Sequence, residues 1–193
     1  LVNPKLQTYM RNNRIIGREY EQQLFESICE EREAEMVAVY GRRRVGKTFL
    51  IKEFFHNEFD FMFTGSYETP TSLQLALFHQ ELQKHTKQEL SIPKNWFEAF
   101  DRLRVYLSSL SKERMVLFFD ELPWMDTPKS NFLTAFSYFW NNWASTRDGL
   151  KLFICGSSTS WMMDKIIGAK GGLYNRCSHS ICLSPSTSAT AQS

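Results

Sequence analysis

The eight residues Gly41-Arg42-Arg43-Arg44-Val45-Gly46-Lys47-Thr48 constrain this chain more than any other stretch. They follow a short apolar run, Met36 to Tyr40, rich in strand-forming residues, and lead into a helix-like segment over 47–56. The pattern is G-x-x-x-x-G-K-[ST], a phosphate-binding loop, in the strand-then-helix setting the motif requires. Glycines let the backbone wrap round phosphates with N–H groups inward, and the following helix start adds partial positive charge. Lys47 would reach the β- and γ-phosphates, and the Thr48 hydroxyl would be a Mg²⁺ ligand. Candidate nucleotide contacts are therefore Gly41, Arg42, Arg43, Arg44, Val45, Gly46, Lys47, Thr48 and Phe49. Arg42, Arg43 and Arg44 raise the local potential. Most are expected to face solvent or pair with acids, with one available to phosphate or a partner.

The rest of the chain alternates in the same manner. Strand-like runs lie at 36–40, 59–66, 115–119, 151–155 and 179–183. Helix-like segments lie at 19–33, 47–56, 71–86, 96–110, 130–146 and 161–167. Continuous apolar strands separated by helices predict a sheet covered on both faces. The expected fold is α/β: a three-layer P-loop NTPase fold with a five-stranded, mainly parallel sheet flanked by helices.

Composition sets bounds. Hydrophobic residues make up 42% and charged residues 23% of 193, which excludes intrinsic disorder as the main state. Lys plus Arg number 23 and Asp plus Glu 21, and each third of the chain is close to balance, so no basic arm argues for nucleic acid. No uncharged apolar run reaches membrane-spanning length. The four cysteines form no CxxC pair, which reads as a reduced, cytoplasmic chain. Cys177, His179 and Cys182 fall in an expected strand without a fourth ligand, so they read as strand residues rather than a metal site. His56, His79, His85 and His179 form no catalytic pattern. Trp124, Phe139, Trp140 and Trp143 read as core packing around the 130–146 helix, with base stacking the other reading.

A second chemical element is Met115-Val116-Leu117-Phe118-Phe119-Asp120-Glu121. It places two carboxylates at the C-terminal end of a buried strand, the edge at which ligands bind in open α/β sheets. Asp120 would hold Mg²⁺, directly or through water. Glu121, one residue on, is the candidate general base. GTPases usually show Asp-x-x-Gly at this place, whereas here Asp120 is followed by Glu-Leu-Pro. The adjacent acids favour ATP hydrolysis.

Five pieces taken together resemble an AAA+-related ATPase of the prokaryotic STAND type, the archaeal-type ATPase family. They are Arg14-Ile15-Ile16-Gly17-Arg18, Tyr40 to Thr48, Leu117 to Leu122, Phe153-Ile154-Cys155-Gly156-Ser157-Ser158 and Gly172-Leu173-Tyr174-Asn175-Arg176. The resemblance implies that Ile16, Gly17 and Arg18 lie against the adenine. It puts Ser157 and Ser158 at the sensor-1 position, reading the γ-phosphate or orienting water. It makes Arg176 an arginine finger acting in trans, the other reading being a solvated or structural arginine. ATP and Mg²⁺ are the implied cofactors, with hydrolysis driving a conformational switch in attached domains or in a homo-oligomer.

The expected organisation is an N-terminal extension at 1–13, an ATPase core at 14–184 and a disordered tail at 185–193. The family continues into a lid after the last strand, and the resemblance here stops near Pro185. Two alternatives therefore stand beside ATPase activity: a nucleotide-binding regulatory module with little turnover, and a DNA-handling ATPase whose DNA-binding part lies elsewhere.

Overall fold

The computed structural model describes residues 15–185, apart from 88, 169, 171 and 172. The extension at 1–13, Arg14, Gly172 and the tail beyond Pro185 lie outside these residues. Five strands form one sheet: β1 (Glu35–Tyr40), β2 (Phe61–Thr64), β3 (Met115–Asp120), β4 (Leu150–Gly156) and β5 (His179–Cys182). The order is β2-β3-β4-β1-β5, and every pairing is parallel. The fold is the α/β sandwich expected from the strand and helix alternation.

Alternation along each strand divides the core in two. Met36 and Ala38 of β1, Leu117 and Phe119 of β3 and Leu152 and Ile154 of β4 face one layer. That layer holds α3 (Thr71–Gln83), α4 (Trp96–Ser108) and α5 (Phe132–Asn142). Val37, Val39, Phe118 and Phe153 face the other, beneath α1 (Glu19–Glu30) and α2 (Lys47–Phe54). The Phe100 ring of α4 lies within 6.0 Å of the rings of Phe78, Trp96, Phe119, Phe132, Phe136 and Phe139. Each such aromatic pair adds about 0.5–1.5 kcal/mol to the burial term. Among the described residues no helix is long and apolar enough to cross a membrane.

Several element ends differ from expectation, and tertiary contacts explain them. The first helix stops at Glu30 rather than 33 because Lys151 of β4 donates to the carbonyls of Glu31 (2.9 Å) and Glu33 (2.6 Å). The second stops at Phe54 because His56 and Asn57 adopt positive φ, 52° and 58°. The expected 130–146 helix is α5 followed by a separate 3₁₀ turn, Ala144–Thr146, with Trp143 leaving helical geometry between them. The segment expected as a helix at 161–167 is a short α6 (Thr159–Met162) followed by a π turn, Met163–Ile167. In α3, Leu73 is half exposed, and Gln74 and His79 are buried beside Leu75, Phe78 and Leu82.

Candidate functional site

The sheet order brings three strand ends together. The loop 41–48 follows β1, Asp120 ends β3 with Glu121 next, and Ser157 follows β4, which lies between them. Gly41 has φ 137° and packs so closely on the carbonyl of Leu183 that a β-carbon would collide with it. Gly46, the residue before α2, has φ 89° with open space around it. The first glycine is thus fixed by both conformation and contact, the second by conformation alone.

Lys47 is 95% buried, at 5% exposure. Its ammonium donates to the carbonyls of Gly41 and Arg42, both at 2.9 Å, and to the Ser157 hydroxyl at 3.3 Å. All three acceptors are neutral, and among the described residues Lys47 has no carboxylate partner. A buried cation held only by neutral oxygens favours an anion beside it. One residue on, the Thr48 hydroxyl lies 3.1 and 2.9 Å from the two carboxylate oxygens of Asp120. A hydroxyl and a carboxylate in contact form a hard-oxygen donor set that fits Mg²⁺. The Cys155 thiol donates to Oδ1 of Asp120 at 2.7 Å. Burial, then the Asp120 charge, push this thiol well above its ordinary pKa.

Glu121 sits in left-handed backbone geometry, φ 49°, where strand β3 turns sharply into a 3₁₀ turn, Leu122–Met125. That turn directs its carboxylate to Ser157: Oε2 accepts from the backbone N–H at 3.1 Å and Oε1 from the hydroxyl at 2.5 Å. One chain of contacts therefore links Lys47, Ser157 and Glu121, and a second links Thr48, Asp120 and Cys155.

The remaining expected residues are placed less uniformly. Ser158 is exposed before α6 with no side-chain capping bond. Ile16 is exposed, and Gly17 has φ 71°. Arg18 joins three parts of the chain, donating to Glu21 (3.1 Å), to the Val45 carbonyl (3.2 Å) and to the Ser184 carbonyl (2.5 Å). Arg42, Arg44 and Phe49 are exposed and Val45 is half-buried. Arg43 is exposed too, but its guanidinium lies over the rings of Tyr67 and Trp124. Arg176 is exposed and precedes β5, whose start pairs with Val37 near the beginning of β1. Because β1 and β5 run parallel, Arg176 stands at the opposite edge of the sheet from its own Lys47.

The aromatic group does not form one cluster. Phe139 and Trp140 are buried in the core, as the packing reading requires, whereas Trp124 pairs with Tyr67 at 5.3 Å beside the loop. Among the described residues no three His, Cys, Asp or Glu side chains gather as a metal group, and the Cys177 thiol donates to the His179 carbonyl at 3.1 Å. Sequence reasoning passed over Cys155, Tyr67 and Gln74. Gln74 carried a signal, a polar residue on the buried stripe of an apolar helix. Tyr67 carried none.

Comparison with known proteins follows the same lines. An uncharacterized ATP-binding protein of Methanocaldococcus jannaschii is 44% identical over 43 residues, 22% of this chain and 73% of that protein. The fold is similar to a Walker-type ATPase of Pyrococcus abyssi, with TM-score 0.57 and 20% identity over 90% of this chain and 55% of that one. It is also similar to Drosophila ORC in a structure bound to DNA, at TM-score 0.55 and 14% identity, covering 88% of this chain and 42% of that one. The ORC2 protein of Aeropyrum pernix, in ADPNP–ADP complexes, gives TM-score 0.51 and 13% identity over 94% and 51%. At these identities the likeness shows the fold alone, and the chain spans about half the length of these solved structures. Residues 16–192 match the ATPase domain predominantly from Archaea, and the chain belongs to that family of P-loop ATPases.

Proposed function

We propose that the chain binds ATP with Mg²⁺ over the ends of β1, β4 and β3 and hydrolyses it. The observation that carries this reading is the buried Lys47 ammonium, held by neutral oxygens at 2.9–3.3 Å beside the Thr48–Asp120 pair. Lys47 takes β- and γ-phosphate oxygens in place of its two carbonyl contacts, and the backbone N–H groups of 41–48 surround the phosphates. Thr48 and Asp120 would hold Mg²⁺, which when bound would supply positive charge to offset that of the phosphates. Glu121 receives a proton from water. The water oxygen bonds to the γ-phosphorus, the bond from that phosphorus to the β–γ bridging oxygen breaks, and its electron pair leaves with ADP. Ser157 orients the Glu121 carboxylate and Lys47 together. Ile16, Gly17 and Arg18 flank the nucleotide, with Arg18 bracing the loop through Val45. Ser158 and, across a subunit interface, Arg176 are secondary members of the site.

Binding and hydrolysis then bias a conformational switch of the STAND kind in attached domains or an oligomer. Lys47→Ala is the test: loss of thermal stabilisation by ATP-Mg²⁺ and of turnover is expected, and unchanged values of both sink the proposal.

One observation favours a second reading, a nucleotide-gated binding module with little turnover: both Glu121 oxygens are already engaged by Ser157. Glu121→Gln separates the two. An enzyme loses turnover while keeping ATP, and a binding module shows no rate to lose. DNA handling draws no support from a chain with 23 basic and 21 acidic residues.

A further inference from the structure

Three arginines stand side by side in the loop, and all three are exposed, and Arg43 rests on two aromatic rings. Its guanidinium carbon lies 5.5 Å from the Tyr67 ring centroid and 5.4 Å from that of Trp124. The two rings come from different segments, Tyr67 from the loop after β2 and Trp124 from the turn that Glu121 begins. The Arg43 side chain therefore crosses from the phosphate loop towards the side of the site occupied by Glu121, where attack on the terminal phosphoryl group would take place.

The platform under the guanidinium is rigid. Gln74, fully buried, accepts from the Ser66 N–H (3.1 Å) and donates to the carbonyls of Ser66 (2.6 Å) and Trp124 (2.9 Å). A β-carbon on Gly65 would come within 2.6 Å of the Glu121 carbonyl and 3.2 Å of Trp124 Cβ, so the two loops are in close backbone contact. The cation itself is weakly held. Among the described residues Arg43 has no carboxylate partner, and cation–π contacts at exposed sites are worth far less than a guanidinium–phosphate pair.

We propose that Arg43 is a catalytic residue parked on Tyr67 and Trp124 that leaves them for the γ-phosphoryl group of ATP. It thereby tells ATP from ADP, and it stabilises the charge that develops during transfer. The arginine comes from the phosphate loop of the same chain, at the site edge that Arg176 cannot reach in its own protomer. The inference rests on the ATP-site reading above. In the transfer, water still gives its proton to Glu121 and the bridging electron pair still leaves with ADP, while Arg43 donates N–H groups to the non-bridging γ-oxygens and changes no bond itself.

The test uses the full chain and measures equilibrium binding of ADP and of a non-hydrolysable ATP analogue, each with Mg²⁺. Arg43→Ala is expected to leave ADP affinity within about twofold and to weaken the analogue on the order of 10-fold, with turnover falling on the order of 100-fold. Arg43→Lys, which keeps the charge without the planar fork, recovers part of the analogue affinity. Arg44→Ala, the neighbouring exposed charge, affects the two nucleotides alike. Tryptophan emission is expected to change on adding the analogue and not ADP, and that difference disappears in Arg43→Ala and in Trp124→Phe. Equal loss for both nucleotides, or no loss for either, overturns the role of Arg43 while the site reading stands on its Lys47→Ala result. A wild-type chain that binds neither nucleotide, and so matches Lys47→Ala, overturns both.

Discussion

Both carboxylate oxygens of Glu121 are held by a single residue, Ser157, through its backbone N–H at 3.1 Å and its hydroxyl at 2.5 Å. The same hydroxyl accepts from Lys47 at 3.3 Å, so Ser157 sits between the loop's cation and the acid proposed as base. Ser157→Ala keeps the backbone bond and removes the hydroxyl. Turnover is expected to fall about 10-fold with ATP affinity little changed, since positioning a proton acceptor is worth one to several powers of ten. Ser157→Thr keeps the hydroxyl and is expected to keep most of the rate. A rate increase in Ser157→Ala would instead make the serine a restraint on Glu121.

The two loop glycines are expected to fail differently. Gly46→Ala meets no neighbour and bears only left-handed strain, about 1–2 kcal/mol. Gly41→Ala adds a collision with the Leu183 carbonyl to a φ of 137°, and about 3 kcal/mol or more is expected. Urea unfolding of the two variants should rank them in that order. Equal losses would show that the chain just after β5 yields readily at Leu183.

Thiol chemistry offers a readout independent of nucleotide. Cys182 is exposed, Cys177 half-buried, and Cys29 and Cys155 buried. Burial pushes the Cys29 thiol from 9.0 up to about 12, and Cys155 is raised by burial and by Asp120. Under native conditions near neutrality, a disulfide-exchange reagent should modify Cys182 first and leave Cys29 and Cys155 untouched until unfolding. A raised thiol pKa leaves stability intact below pH 9.0 and erodes it as pH climbs from there towards 12. Rapid labelling of Cys155 in the folded chain would contradict its bond to Asp120.

At the start of α4, the Asn95 side chain accepts from the Glu98 N–H at 2.9 Å and the Glu98 carboxylate accepts from the Lys94 N–H at 2.8 Å. The Lys94 N–H is the main reason the Glu98 carboxyl lies below its ordinary range, with Arg102 adding to it. Asn95→Ala is expected to cost about 1 kcal/mol. A lowered carboxyl pKa contributes stability above its ordinary value and loses it as pH falls, so Glu98→Gln should flatten the acid side of the stability profile. An unchanged acid limb would assign that limb to other carboxylates.

Much of this arrangement was legible in the linear chain because it is encoded locally. Two glycines at fixed spacing, a lysine and a threonine after an apolar run specify a strand, a loop and a helix start. The unbroken apolar run Met36, Val37, Ala38 and Val39, every residue of it buried, specifies a strand covered on both faces. The acid pair after Phe119 needs only the end of a buried strand. Such features depend on dihedral preference and on side-chain period, and both act over a few residues.

Tertiary structure decided whatever depends on which strands are neighbours. The order β3-β4-β1 sets Ser157 and Cys155 between the loop and the acids, and no local pattern encodes that order. The same parallel pairing carries Arg176 to the far edge of the sheet. Lys151 ends α1 from a strand about 120 residues away, and Gln74 fixes Trp124 across a gap of 50. Tyr67 and Trp124 become a resting place for Arg43 only when β2 and β3 lie side by side. Local residue order sets the chemistry available at each strand end; the folded sheet sets which of those ends meet, because long-range pairing is settled by packing and hydrogen-bond registry over the whole chain rather than by any one segment.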